Sequence, residues 1–224
     1  AAQRDNALRA GIRTATATEL IQMHLRALVR RRPERFLGAD QSHRIYNRVN
    51  QERAALATSL GHNQINAPKL RLLLGKLLEH KVPLIDPALV FETIMLNQPS
   101  AQSVEQLVAG VRHDLGGFAV DRVTSGAGIV QSYEFDPMLE SSLVAEICNK
   151  PPRTIARQIA EIIGQSAPPH PDPDSLVVVA CSATNRYFFQ QHLSINRPDV
   201  VVISTEELDN TQQLDPLAVI TSVE

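Results

Sequence analysis

The sequence predicts an α+β protein, with an N-terminal all-helical subdomain followed by a small α/β subdomain containing a βαβ unit. Three observations carry this. Leu70, Leu73, Leu74, Leu77 and Leu78 recur at helical spacing, as do weaker apolar stripes on either side of them. Two apolar runs, 176–181 and 200–203, read as buried strands late in the chain. A helix-compatible stretch at 183–193 lies between them, as a parallel pair with a right-handed crossover requires. The expected division is 1–16 as a remnant of a preceding subdomain or a frayed end, 17–117 as the helical subdomain and 118–224 as the α/β subdomain.

From Thr18, Leu20, Ile21, Leu25, Leu28 and Val29 mark a helix closed by Arg30-Arg31-Arg32-Pro33. Residues 39–54 form a second, Arg-rich helix anchored by Ile45 and Val49, and a turn follows around Gly61-His62-Asn63. The Leu70–Leu78 helix has Pro68 in its first turn and Pro83 beyond its end. Asp86-Pro87 is a cap followed by Pro at the first helical position, opening a helix through Leu89, Val90 and Ile94. Pro99-Ser100 breaks it, and Val104, Leu107, Val108, Val111 and Leu115 form the next stripe, stopped by Gly116-Gly117. Ser125-Gly126-Ala127-Gly128 reads as a turn between strands at 119–124 and 129–135. Asp136-Pro137 repeats the cap-plus-Pro start before Leu139, Leu143 and Ile147, and Pro151-Pro152 precedes Ile155, Ile159 and Ile163. A Pro-rich loop at 167–174 leads to the βαβ unit, after which Ser204 and Glu207 form a capping box.

The 224 residues are 43 % hydrophobic and 21 % charged, a globular balance rather than a disordered one. Aromatic residues are 4 % and Trp is absent, which leaves little for stacking on single-stranded bases. No apolar run approaches the roughly 20 residues that span a bilayer, and no signal segment opens the chain. The expectation is a soluble, cytosolic piece. The net charge of -2 conceals a split: residues 1–54 carry eleven Arg against five acids, or +6, and the remainder carries -8. A basic face on one copy could meet an acidic face on another, or an anionic polymer.

Chemistry-bearing motifs are few. Cys181 ends a strand just before a helix, where backbone N–H groups lower a thiol pKa, but His192 lies too far along that helix to serve as its base. Cys148 and Cys181 alone cannot hold zinc, and no two of the seven His are three or four apart. Gly75-Lys76 lacks the earlier Gly of a phosphate loop, and Gly126-Ala127-Gly128 lacks the third Gly of a dinucleotide fingerprint. Glu206-Glu207 and Asp172/Asp174 read as solvated, and His24 as packed or capped within its helix. No catalytic, cofactor-binding or metal-binding residue is assigned, and no cofactor is expected.

The order of short motifs carries a resemblance. Gly11-Ile12-Arg13, Thr18 to Leu25 and the Arg-rich helix end into Phe36-Leu37-Gly38 resemble the type III secretion export-gate family, the FlhA/SctV (FHIPEP) group of flagella and injectisomes. Leu70–Asp86, Phe91-Glu92-Thr93-Ile94, Asp136–Glu140, Val178–Ala183 with Arg186-Tyr187, and Val201–Leu208 follow in the family's order. Arg32-Pro33 and Asn66-Ala67-Pro68 depart from its pattern. The family's transmembrane half and most of its first cytoplasmic subdomain have no counterpart here, so the chain is either an excised C-terminal fragment or a reduced relative.

The resemblance implies a non-enzymatic scaffold at the cytoplasmic face of the bacterial inner membrane. It implies a nine-membered homo-oligomeric ring that receives export chaperones, a gatekeeper and secreted substrates, with no nucleic acid bound. Membrane attachment would come only through an N-terminal transmembrane part. The charge split places protomer contacts at Arg44 and Arg48, with Arg30 and Arg31 as further candidates. Two other classes compete: a thiol enzyme using Cys181, and a nucleic-acid-binding module using the N-terminal Arg cluster.

Overall fold

Thr16 sets the start of the first helix. Its side-chain oxygen accepts from the Glu19 N–H, and the Glu19 carboxylate accepts from the Thr16 N–H at 2.6 Å, a reciprocal cap that opens α1 (Ala17–Arg31). The structure, a computed structural model, describes residues 14–62, 65–147, 149–169 and 175–221. Most of the expected end segment 1–16 therefore lies outside the described residues, as do Cys148, His170, Asp172 and Asp174.

Five helices build the first core. They are α2 (Ala39–Glu52), α3 (Ala54–His62), α4 (Ala67–Glu79), α5 (Pro87–Asn97) and α6 (Val104–Asp114). The caps read from the sequence are in place: Asp86 accepts from the N–H groups of Ala88 and Leu89 at 3.0 and 3.2 Å. Asn66 caps α4 through the Lys69 N–H, and Ser103 caps α6 through that of Gln106. Helix α3 is an addition, because residues 54–60 carry too weak a stripe to announce one, yet Ala57 and Leu60 are fully buried. Around the bundle, α2 packs on α3 and α4, α3 on α5, α5 on α6, and α6 back on α4. Val49, Leu60, Leu70, Leu73, Leu74, Leu77, Phe91, Ile94 and Val111 fill its centre. At about 1.5–3 kcal/mol per buried large aliphatic side chain, this stripe matching outweighs the weak local preference of α3.

The Val104–Asp114 helix ends just before Gly116-Gly117, as expected, but 119–124 is not a strand. Residues Gly116–Asp121 form a short helix, α7, whose Ala119 and Val120 are buried together on one side. Their neighbours in space, not the β-branched residues in the segment, decide its conformation. Val120 lies under the sheet with Val130, Val178, Ala180, Val201 and Ile203.

The sheet has four parallel strands in the order β3-β2-β1-β4: β1 (Ile129–Phe135), β2 (Val177–Cys181), β3 (Val200–Ser204) and β4 (Gln213–Ile220). Helices α8 (Pro137–Ile147), α9 (Pro152–Ser166) and α10 (Ala183–Asn196) contribute to the core on its other face, where Leu143, Ile155, Ile159 and Ile163 meet Val179, Val202 and Phe189. The β2–α10–β3 unit is the predicted one. Strand β4 is not predicted, because Asp215-Pro216 interrupts it and among its residues Ile220 alone is buried. Both edges are managed. At β3, the buried Gln190 amide donates to the Val200 carbonyl and accepts from the Val202 N–H at 2.8 Å. At β4, Pro216 and a register shift opposite Ser132/Tyr133 interrupt the free edge.

Helix α1 departs from its expected packing. Among its residues Ala27 alone is buried, while Leu20, Ile21, Leu25, Leu28 and Val29 are exposed. Helical periodicity marks an apolar face without saying what covers it.

Candidate functional site: a buried ionic junction and the surfaces around it

Helices α4, α6 and α10 and the end of β3 converge on one carboxylate. Glu207, in the 3-10 turn after β3, accepts from both Arg112 guanidinium nitrogens at 2.6 and 3.1 Å and pairs with Arg186 Nε at 3.2 Å. It also accepts from the Ser204 N–H at 3.3 Å, the capping box read from the sequence. The expectation that Glu207 is solvated is overturned, since its side chain is 1 % exposed. Its neighbour Glu206 is exposed, so a Glu-Glu pair on a turn splits between water and core. Arg112 Nε donates to the His80 carbonyl at 3.1 Å, tying the end of α4 to the same point. Gly116 makes room for the junction: a Cβ there would lie 2.6 Å from Glu207 Cγ.

The charges do not balance. Two buried guanidiniums face one carboxylate, and burial together with Arg186 pulls Arg112 down to about 10, with Glu207 opposing. His80 is fully buried and stacks on Tyr187 with ring centroids 4.4 Å apart. Neither of its ring nitrogens meets a protein partner. Burial first, then Arg186, Arg112, Lys76 and Lys81, holds its pKa well below 6.5, so the imidazole is neutral. Beside it, Lys81 adopts φ 65° at the end of α4, a left-handed position that a Gly usually fills. Its ammonium donates to the Arg31 carbonyl at 2.7 Å and the Pro198 carbonyl at 2.9 Å, stitching the C-terminus of α1 to the lead into β3. Burial pushes Lys81 down to about 8. Arg112 and Lys81 go unmarked in the sequence, and Glu207 reads there as a solvated capping residue, because nothing local distinguishes a buried charge from a solvated one.

Cys181 sits at the start of α10, as expected, but the helix N-terminus is already occupied. The buried Glu140 carboxylate accepts from the Ser182 N–H and hydroxyl and from Asn185 Nδ2 at 2.6 Å. Burial, then the Glu140 charge, pushes the Cys181 thiol up rather than down. His192 is buried with Nδ1 2.8 Å from the Phe188 carbonyl, in its own helix. The two are not brought together. His24 is exposed, with Nδ1 2.8 Å from the Leu20 carbonyl, so it is bonded to its helix and not packed.

The candidate contact residues are divided between two helices. Arg44 and Arg48 are exposed one turn apart on α2, with Arg48 3.1 Å from Glu52. Arg30 is exposed at the end of α1, where it lines a cavity of about 700 Å³ with Arg122, and Arg31 is half-buried. Among the described residues no group of three His, Cys, Asp or Glu could hold a metal. No described helix is long and apolar enough to cross a membrane.

The chain is thus an α+β fold in which helices of the bundle and the end of β3 meet at one buried ionic cluster. The chain belongs to the FHIPEP family, whose model matches residues 1–213. It is similar to the flagellar biosynthesis protein FlhA of Escherichia coli K12, 23 % identical over 94 % of this chain and 31 % of that protein. It thus spans about a third of the relative's length. Among solved structures it is similar to the Chlamydia pneumoniae CdsV protein at TM-score 0.82 and 19 % identity, covering 97 % of this chain and 64 % of that one. CdsV is also known in complex with CdsO, where the likeness is 0.80. The nonameric SctV-C of EPEC matches at 0.73 and 20 % identity, covering 98 % and 68 %.

Three outcomes test the junction. Glu207→Gln leaves two buried guanidiniums without a counter-charge and lowers unfolding stability in urea by about 3–5 kcal/mol; a loss under about 1 kcal/mol would show that the junction is not structural. Unfolded His80 takes a proton below pH 6.5 and the folded chain does not, so this residue removes stability as pH falls from 6.5 toward the lower folded value. His80→Phe keeps the stack on Tyr187 and shallows the stability–pH slope there by up to about 1.4 kcal/mol per pH unit; equal slopes in urea titrations from pH 5 to 8 would refute this. Cys181, partly exposed but with its thiol pKa raised, reacts with iodoacetamide at pH 7 more slowly than a free thiol. Fast labelling of Cys181 itself, located by peptide mass spectrometry, would restore the thiol-enzyme reading.

Proposed function

We propose that this chain is a non-enzymatic part of the cytoplasmic domain of a type III export gate, built to assemble as a ring and to dock other proteins. Family membership across residues 1–213 carries this reading. The ring in EPEC SctV-C and the CdsV–CdsO complex support assembly and partner docking. In the whole protein the ring would lie at the cytoplasmic face of the inner membrane, held by an N-terminal membrane part, and would receive chaperones, a gatekeeper and export substrates. We read 17–117 and 118–224 as its two units, joined at the Arg112–Glu207 junction.

The thiol-enzyme alternative is disfavoured by the Glu140 charge beside Cys181. The nucleic-acid alternative is weakened because Arg32 donates to the Ile195 carbonyl at 2.7 Å and Arg31 is half-buried, so the Arg cluster is not a free basic strip. Arg44, exposed on α2, and Arg48, which would exchange its exposed i,i+4 pair with Glu52, are placed to meet an acidic face of a neighbouring copy. Exposed ion pairs contribute about 0–1 kcal/mol each, so they set register more than strength. Reversing both charges, Arg44→Glu with Arg48→Glu, should shift self-association in light scattering to several-fold higher concentration and blunt its salt dependence. Unchanged assembly would remove these two residues from the contact.

A further inference from the structure

We propose that neighbouring copies engage head to tail, with Leu96 of one protomer entering a socket between α2 and α4 of the next. This rests on the ring reading above and deepens it. The socket is a cavity of about 490 Å³ lined by Ala39, His43, Tyr46, Ile65, Pro68 and Arg71. Its floor is apolar, while Arg71 on its lining and Arg44 beside His43 on α2 are exposed cations. Leu96, on the last turn of α5, is 78 % exposed, among the most exposed apolar side chains described, and Pro99 beyond it is exposed too. Beside this knob stands Asp114, an exposed carboxylate that accepts from Asn97 Nδ2 at 2.7 Å. Glu92, one turn earlier, already pairs with Arg53. An apolar knob flanked by an acid thus matches an apolar socket flanked by cations.

The knob and the socket are different surfaces of one protomer. The packing order α2–α3–α5–α6–α4 closes on itself, with a smaller contact between α2 and α5. Helix α5 packs mainly on α3 and α6, and none of its residues lines the socket. Two different, complementary patches make a heterologous contact, the kind that propagates around a ring; a self-complementary patch would stop at a dimer. The exposed stripe of α1 is a poorer occupant, because Arg26 and Arg30 beside it would face the socket's cations.

The test uses the full chain in three forms. Leu96→Asp and Ala39→Trp, both at exposed positions, should keep the melting temperature and raise the half-assembly concentration in light scattering at least tenfold. A mixture of Leu96→Cys and Ala39→Cys chains, carrying tags of different size, should form a disulfide between positions 96 and 39 on oxidation, identified by peptide mass spectrometry. Assembly that survives both blocking variants, or disulfides of the 96–96 or 39–39 type, would overturn the knob and socket while leaving the ring reading standing. A chain that stays monomeric at every concentration and forms no disulfide between positions 96 and 39 would overturn both.

Discussion

The fold turns on a charge cluster that water cannot reach. Arg112, Arg186 and Glu207 come from two helices and the turn after β3, and each would be unstable in the core alone. A buried pair is weak evidence for stability, since an apolar replacement of the same shape often does as well, but removing one partner is severe. What such a cluster contributes is geometry. The bidentate fork of Arg112 onto Glu207, with Nε on the His80 carbonyl, permits one relative placement of the helical bundle and the sheet. An apolar contact would slide more readily.

The same economy of charge governs the parts of the chain that look reactive. Glu140 occupies the N-terminus of α10, so the dipole that could have activated Cys181 instead holds a carboxylate. Lys81 reaches the last carbonyl of α1 and that of Pro198 from a left-handed backbone position, a conformation sustained by its two hydrogen bonds. Gln190 closes the β3 edge with its amide. In each case a polar group that might suggest chemistry is engaged by the backbone. The surface, by contrast, keeps apolar side chains in the open on α1, on α5 and on β4. Function in such a molecule lies in which surfaces are left uncovered.

Much of the architecture was legible in the amino-acid order because local rules there agree with the global fold. Asp86-Pro87 and Ser204 with Glu207 open elements through hydrogen bonds within a few residues, and both are present. The Leu70–Leu77 stripe and the Val200–Ile203 run are buried, as their periods require. The resemblance to export-gate proteins was also legible, since it rests on the order of such segments along the chain.

What only the tertiary structure decided are partnerships between distant residues. Helix α7 exists in place of a strand because Val120 packs under the sheet, and β4 exists because β1 offers it a free edge. Glu207 is buried and Glu206 is not, a difference set by Arg112 some 95 positions away. The stripe of α1 shows the opposite case, a local signal for burial that no described core accepts. Sequence by itself determines short-range hydrogen bonding and the face a segment would bury. Which face meets which, and where a buried charge finds its counter-charge, follows from packing in three dimensions, because desolvation energy depends on neighbours that chain order does not specify.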